Sequence, residues 1–266
     1  MDRKFVYDDR EEKDPPGSPV LTLMKALDVL ETAAEGGTGI TVAEIAARLG
    51  LNRSTTHRLV QTLVQQRYLQ PAAVGRGLEI GLKFLPLAAR QLDTNRVRIA
   101  ALPHLSALAR EAGERANLGV LFEDQLLYLA GAEKPDLPIM YSRFGKLAPA
   151  YCCSLGKAIL STYGEASQRA FLARRPLVCQ TPNTRTTIEA VITDLAETAR
   201  RRYAIDDEEH IAGSWCVAAP VYDAHPEAVA AVGISGGSRE QILDMAETVR
   251  RTAQIITHLL SPLRPL

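Results

Sequence analysis

The chain has 266 residues, with 31 basic and 31 acidic side chains, zero formal net charge, 46% hydrophobic and 23% charged residues. That length allows one large or two modest domains with ample core, and the balanced charge excludes a polycation that coats nucleic acid without a shaped site. No apolar run approaches the ~20 residues of a membrane span and the charged N-terminus is no secretory signal. Cys152, Cys153, Cys179 and Cys216 show neither C-x-x-C pairing nor zinc-ligand spacing, so reduced thiols in a bacterial-type cytoplasm are expected.

Residues 1–19 mix charges and then run into Pro15, Pro16, Gly17 and Pro19, which reads as a flexible tail. From Val20 to Glu35, Leu23, Ala26, Leu27 and Leu30 mark an amphipathic helix ended by Gly36-Gly37. Thr41 is placed to cap a second helix carrying Val42, Ile45, Ala46 and Leu49, with Glu44 in its first turn and Gly50 as its stop. After a very short turn, Asn52 is placed to cap a third helix from Arg53 to about Arg67. Leu59, Val60, Leu63 and Val64 fall on its inward side. The opposite side holds Arg53, Ser54, Thr55, His57, Arg58, Gln61 and Gln65, a donor-rich face without an acid. Two helices joined by so short a turn around a glycine form a helix-turn-helix, whose second helix enters a major groove. From Arg53 to Lys83 five basic residues (Arg53, Arg58, Arg67, Arg76, Lys83) stand against one acid, Glu79, giving a local basic patch. Short strands around 68–72 and 77–82, turned by Val74-Gly75-Arg76-Gly77, predict a wing with Arg76 at its tip for a phosphate or the minor groove.

Residues 82–112 have helical pattern, with Pro86 in a first turn and Pro103 starting or kinking the second part. A DNA-binding domain over 20–85, a linker helix over 86–100 and a second domain over 101–266 are expected. Leu82, Leu85 and Leu92 are left over for pairing of copies. In the second domain the segments 116–124, 125–133 and 137–145 read as strands. Short helices follow near Cys153 and 165–173. Thr186 and Glu189 resemble a capping box ahead of a helix whose Ile188, Ile192, Leu195 and Ala199 share a face. Strands YAID, WCVAAPVY and AVAAVGIS and a long final helix complete the chain. That helix carries Ile242, Met245, Ala246, Val249, Ala253, Ile256 and Leu260 on one stripe. Antiparallel strands with helices gathered to one side predict an α+β, sandwich-like sensor domain.

The order of winged helix-turn-helix, linker helix and α+β domain resembles the IclR family of bacterial transcriptional regulators. So do PAYCCSLGKAIL (149–160), RRYAIDDEEHIAG (201–213) and CVAAPVYD (216–223), over about residues 20–260. The resemblance implies a GAF-like effector-binding domain, a homodimer or homotetramer, a palindromic operator in double-stranded DNA, control of catabolic genes, no cofactor and no membrane. It also places Met140, Ala148, Asp206, Cys216, Gly233 and Ser235 in the wall of an effector pocket.

The residues themselves point to the same region. SLGKA opens a helix whose first N–H groups, around Cys153, Ser154 and Leu155, attract an anion such as a small carboxylate. The bland alternative is a helix start capped by Ser154 or water. Ala158 after Lys157, and Tyr151 in the first-glycine position, exclude a nucleotide P-loop. Strand alternation puts Ser214 and Cys216 on one face and Trp215, expected in the core, on the other. The acids Asp206 to Glu209 read by themselves as a solvated loop, although Asp206 can accept a hydrogen bond from a ligand hydroxyl. Tyr141, Phe144 and Tyr151 lean toward an aromatic or bulky small organic acid. A catalytic reading of Cys216 with His210 and Asp206 lacks an oxyanion hole. A metal- or thiol-responsive regulator is the remaining alternative, and adjacent Cys152 and Cys153 suit one tetrahedral zinc poorly.

Overall fold

The computed structural model describes residues 19–37, 39–133 and 144–261 and divides into two compact units, Met1–Asp93 and Thr94–Leu266. The expected tail up to residue 18, and residues 137–143 of the candidate strand over 137–145 with Met140 among them, lie outside the described residues, while 144–145 form a turn.

In the first unit α1 (Leu21–Glu35), α2 (Val42–Leu49) and α3 (Arg53–Gln65) pack together, followed by β1 (Leu69–Pro71) and β2 (Leu78–Ile80). Local chemistry sets each boundary. Thr41 and Glu44 form a reciprocal capping box at α2. Gly50 ends that helix in the left-handed conformation. Asn52 accepts a 2.8 Å bond from Thr55 N–H at the start of α3. Val29, Ile40, Ile45, Leu51, Leu59, Val60, Leu63 and Leu69 form the core. The expected stripe of α1 is rotated. Val29 and Ala33 are buried and Ala26 and Leu30 pack beside them, whereas Leu23 and Leu27 are 58% and 49% exposed. The apolar residues of α1 span more than one face, so periodicity alone does not select the one that meets α2 and α3. β1 and β2 pair antiparallel, and Ile40 adds a bridge to Leu78 through two backbone bonds of 2.8 and 3.0 Å. Gly77 is required beside this bridge, because any Cβ there would lie 2.6 Å from the Ile40 carbonyl oxygen.

The expected linker is two helices. α4 (Phe84–Thr94) stops before Asn95, which caps α5 (Arg96–Ala112) by accepting from Arg98 N–H. Pro86 stands in the first turn of α4, and Pro103 lies inside a continuous α5.

The second unit continues with β3 (Arg115–Phe122), β4 (Gln125–Ala132), β5 (Leu147–Pro149), α6 (Ser154–Leu160), α7 (Glu165–Leu172) and α8 (Ile188–Arg201). β6 (Ala204–Asp207), β7 (Trp215–Val221), β8 (Ala230–Gly236), α9 (Arg239–Asp244) and α10 (Ala246–Leu260) follow. The six strands form one antiparallel sheet in the order β5-β4-β3-β8-β7-β6. Helices cover both faces, not one. Ala204, Ala218 and Ala231 belong to the core around α6, while the alternating Val217, Ala219, Val232 and Ile234 are also buried. With both sets apolar, both faces need a cover. α5 and α10 pack on each other and on β3, β4, β7 and β8, and α6 packs on β3, β6, β7 and β8. The protein is therefore α+β, with an N-terminal winged helix-turn-helix and a C-terminal GAF-like domain.

Three local expectations are corrected. Thr187, not Thr186, caps α8 by accepting from Ala190 N–H, so no box forms with Glu189. Ala199 is exposed, and the buried side of α8 is Val191, Asp194, Leu195 and Thr198. The final helix is broken at Met245, although Ile242, Ala246, Val249, Ala253, Ile256 and Leu260 are all buried. Thr41→Ala, which dismantles the capping box at α2, is expected to destabilise the chain by about 1 kcal/mol, read from the urea midpoint.

Candidate nucleic-acid interface and effector pocket

The outer side of α3 is set by its inner side. With Thr56, Leu59, Val60 and Leu63 buried, Arg53, Ser54, His57, Arg58, Gln61 and Gln65 are exposed, and Thr55 is half-exposed. Ser54 donates to the Asn52 side chain at 2.9 Å, so its hydroxyl supports the cap. Arg76 is exposed in the segment joining β1 and β2. An acid-free, donor-rich helix face and a basic loop suit phosphates and base edges.

In the second unit a small cavity, partly open to solvent, lies between the start of α6 and the sheet. Asn117, Tyr128, Cys153, Ser154, Leu155, Asp206, Cys216, Gly233, Ile234 and Ser235 line it. Strand register explains how distant residues meet. Asp206 pairs with Cys216, and Cys216 pairs with Ser235, so these three side chains stand in a row across β6, β7 and β8. In the next row Asn117 pairs with Gly233. Six expected residues therefore line one cavity: Ser154, Leu155, Asp206, Cys216, Gly233 and Ser235. Ala148 is buried in β5 and Ser214 precedes β7 with its hydroxyl 3.8 Å from Cys216 Sγ; neither lines the cavity. Cys153 was expected through its backbone at the start of α6; Asn117, Tyr128 and Ile234 were not expected. They are recognisable only once β3, β4 and β8 are paired.

The turn before α6 is tight for a steric reason. A Cβ on Gly156 would lie 2.3 Å from the Ala150 carbonyl oxygen, so SLGKA needs its glycine for packing. Lys157, which sequence left without a role, is fully buried. Its Nζ is 2.6 Å from Glu209 Oε1 and 2.8 Å from Asp194 Oδ2. Arg185 reaches Glu209 Oε2 at 2.6 Å, and Arg201 lies 3.6 Å from Asp194.

The acidic run 206–209 is accordingly not a solvated loop. Asp206 Oδ1 accepts from the N–H groups of Glu209 and His210 at 2.8 and 3.2 Å. Asp207 is bound by Arg239, which holds its carboxyl below the usual range, and by Trp215 Nε1 at 2.8 Å. Glu208 accepts from Gly213 N–H, and Glu209 holds Lys157 and Arg185. Trp215 is thus half-buried in a polar contact, not in the core. Tyr151 is turned away from the cavity and donates to the Val178 carbonyl, so the lean toward a bulky acid loses its support from that ring. Tyr141 lies outside the described residues, and Phe144 is exposed.

Burial pushes the Asp206 carboxyl up to about 6, against the lowering effects of the Glu209 N–H and Lys157. Burial likewise pushes the Cys152 thiol far up, leaving it protonated.

The family model for the IclR helix-turn-helix domain matches residues 22–72, and that for the bacterial transcriptional regulator IclR C-terminal domain matches residues 89–258. The chain belongs to the IclR family. Members are ligand-responsive, DNA-binding transcriptional regulators. The chain is 31% identical to the transcriptional repressor IclR of Escherichia coli, over 84% of this chain and 82% of that one. It is 30% identical to the acetate operon repressor of Salmonella typhimurium, over 91% of each. An IclR transcriptional regulator from Alicyclobacillus acidocaldarius superposes with a TM-score of 0.78 at 26% identity, covering 91% of this chain and 99% of that one. An IclR homologue from Microbacterium hydrocarbonoxydans, complexed with 4-hydroxybenzoate, gives 0.76 at 26% identity, covering 90% and 98%. Among the described residues of this IclR-family chain, no helix is long and apolar enough to cross a membrane.

The raised Asp206 carboxyl yields a stability prediction with a definite sign. The folded state holds this proton more tightly than the unfolded chain. Its contribution is therefore complete below about pH 4 and is lost as pH rises through about 6. Asp206→Asn keeps the Oδ1 acceptor for Glu209 and His210 but removes the ionisation. The variant should match wild type at pH 4 and exceed it at pH 7.5 by up to about 2–3 kcal/mol in urea denaturation.

Proposed function

We propose that this regulator reads a palindromic operator with α3 in the major groove and Arg76 on the backbone, and that a small organic acid in the cavity of the second unit changes its DNA affinity. Its genes are then catabolic, and its place is the cytoplasm. The observation that carries the reading is the convergence of Ser154, Leu155, Asp206, Cys216, Gly233 and Ser235 on one cavity, in a chain that also has an acid-free outer face on α3. The acid end of the ligand sits by Ser154 and the backbone around Cys153–Leu155. The polar end points to the sheet, because an ionised Asp206 repels a carboxylate placed beside it. The solved relative with bound 4-hydroxybenzoate supports an acid of that size. Cys153 and Cys216, which both line this cavity, favour a thiol-responsive regulator as the second reading.

Recognition of a palindrome needs a homodimer or homotetramer, with recognition helices about 34–36 Å apart or a multiple of that. α4 has no buried residue, Leu85 and Leu87 are exposed on it and Leu82 just before it. An apolar helix in this state suits pairing with a second copy.

Arg58→Ala and Gln61→Ala should each weaken specific operator binding by about 1–3 kcal/mol, and Arg76→Ala should weaken all sequences alike and flatten the salt slope by about one unit. Fluorescence anisotropy across a salt series separates these effects. Wild-type affinity in both helix variants, or one chain bound per palindrome, sinks the assignment of α3.

Ligand response is expected to vanish in Ser154→Leu, which fills the cavity, while operator binding without ligand is retained. A thermal-shift screen of small carboxylic acids, including 4-hydroxybenzoate, finds the ligand. At about 100-fold over Kd the gain is about 2.7 kcal/mol. Normal response of the leucine variant would place the ligand elsewhere.

A further inference from the structure

The floor of the cavity holds a buried amide in unusual company. Asn117, 4% exposed, stands near the middle of the six-stranded sheet on β3. Its directly paired neighbours are Gly131 on β4 and Gly233 on β8, so no side chain flanks it on either strand. Gly233 is sterically required. A Cβ on Gly233 would lie 2.4 Å from the Val217 carbonyl oxygen, and one on Gly131 would come within 3.4 Å of Asn117 Oδ1. The side-chain partner described for Asn117 is the diagonal Ser235, at 3.4 Å from Nδ2 to Oγ. That is longer than the 2.7–3.2 Å of a well-made N–H···O bond, typically about 2.9 Å. Ser235 lines the same cavity.

An amide buried in the centre of a sheet, flanked by glycines on both sides and held by one long bond to Ser235, keeps hydrogen-bonding capacity to offer a ligand in the cavity. The geometry points to Asn117, with Ser235, as the specificity-determining pair of the cavity, reading a neutral oxygen (a hydroxyl or keto group) on the ligand opposite its carboxylate. The amide offers one acceptor and two donors, and the serine both donates and accepts. Together they match a hydroxyl, which needs one partner of each kind. Neither carries a charge that would compensate a second carboxylate. The class of effector is therefore an oxygenated monocarboxylic acid. This assignment rests on the reading of the cavity as the effector site.

A site built to bond an oxygen rejects the analogue lacking it, because the site's own polar groups are then left unpaired. The full-length chain is titrated calorimetrically with matched acids: benzoate against 3- and 4-hydroxybenzoate, and propionate against lactate and pyruvate. Wild type is expected to bind the oxygenated member of at least one set tenfold or more tightly than its bare counterpart. Asn117→Leu should collapse that ratio below about threefold by weakening only the oxygenated member. Ser235→Ala should lower it part-way, and, as the loss of a single hydroxyl, it keeps the test open if the leucine variant does not fold. Discrimination that survives in both variants, or its absence in wild type, overturns the role of the pair, as does a water-filled floor that changes melting temperature without changing selectivity. Acid binding that persists unchanged in Ser154→Leu overturns the cavity reading itself, and a wild-type chain that binds none of the acids overturns both.

Discussion

A full positive charge inside a short helix dictates the architecture of the second unit. Every residue of α6 is buried, and its Lys157 meets Glu209 and Asp194 at 2.6 and 2.8 Å. Taking such charges out of water costs several kcal/mol per ion, recovered only with close, well-satisfied partners. The partners reach α6 from two other places in the chain: α8 and the turn after β6. Arg185 and Arg201 extend the cluster toward solvent, with side chains 37% and 23% exposed. Removing one member leaves the others uncompensated, so these elements have one acceptable arrangement.

The pocket inherits its shape from that arrangement. Glu209 is held by Lys157 through its side chain and by Thr184 through its carbonyl, at 2.6 Å, while its N–H donates to Asp206. Thr181 adds a 2.6 Å bond to the Glu208 carbonyl. The turn is thus fastened from behind, and Asp206 faces the cavity as a by-product of satisfied backbone groups. The same fastening spends its carboxylate: Oδ1 serves the turn before it can serve a ligand. Its high proton affinity follows from burial, which outweighs the favourable field of Lys157.

The two units are stabilised by contrasting means. In the first, helices begin and end at local signals, Thr41 with Glu44, Gly50, and Asn52, and the core is a single apolar cluster. Its outer surface can then vary for recognition without touching the fold. In the second, polar groups are built into the interior: Lys157, Asp194, Asp206 and Glu209 around α6, and Asn117 and Ser235 on the sheet. Buried polar groups are costly unless paired, and here they lie beside a cavity. The positions of these groups are fixed by the fold, and preorganisation of that kind lowers the ordering cost of binding.

How much was legible follows from the range of the interactions involved. The caps of α2 and α3, the outer face of α3, the wing and the mixed class of the second domain were readable because each depends on residues within a few positions of one another. The family resemblance supplied the members of the pocket that lie far apart. The inward face of α1 was not readable, since its leucines offer more than one stripe and only contact with α2 and α3 selects Val29 and Ala33. Nor was the role of the acidic run, because a charge looks solvated until its partner is known, and Lys157, Arg185 and Arg239 are distant in sequence. Asn117 carried no signal at all. Its surroundings arise from two glycines on neighbouring strands, Gly131 across the β3–β4 hairpin and Gly233, which the sheet register brings beside it from more than a hundred residues away.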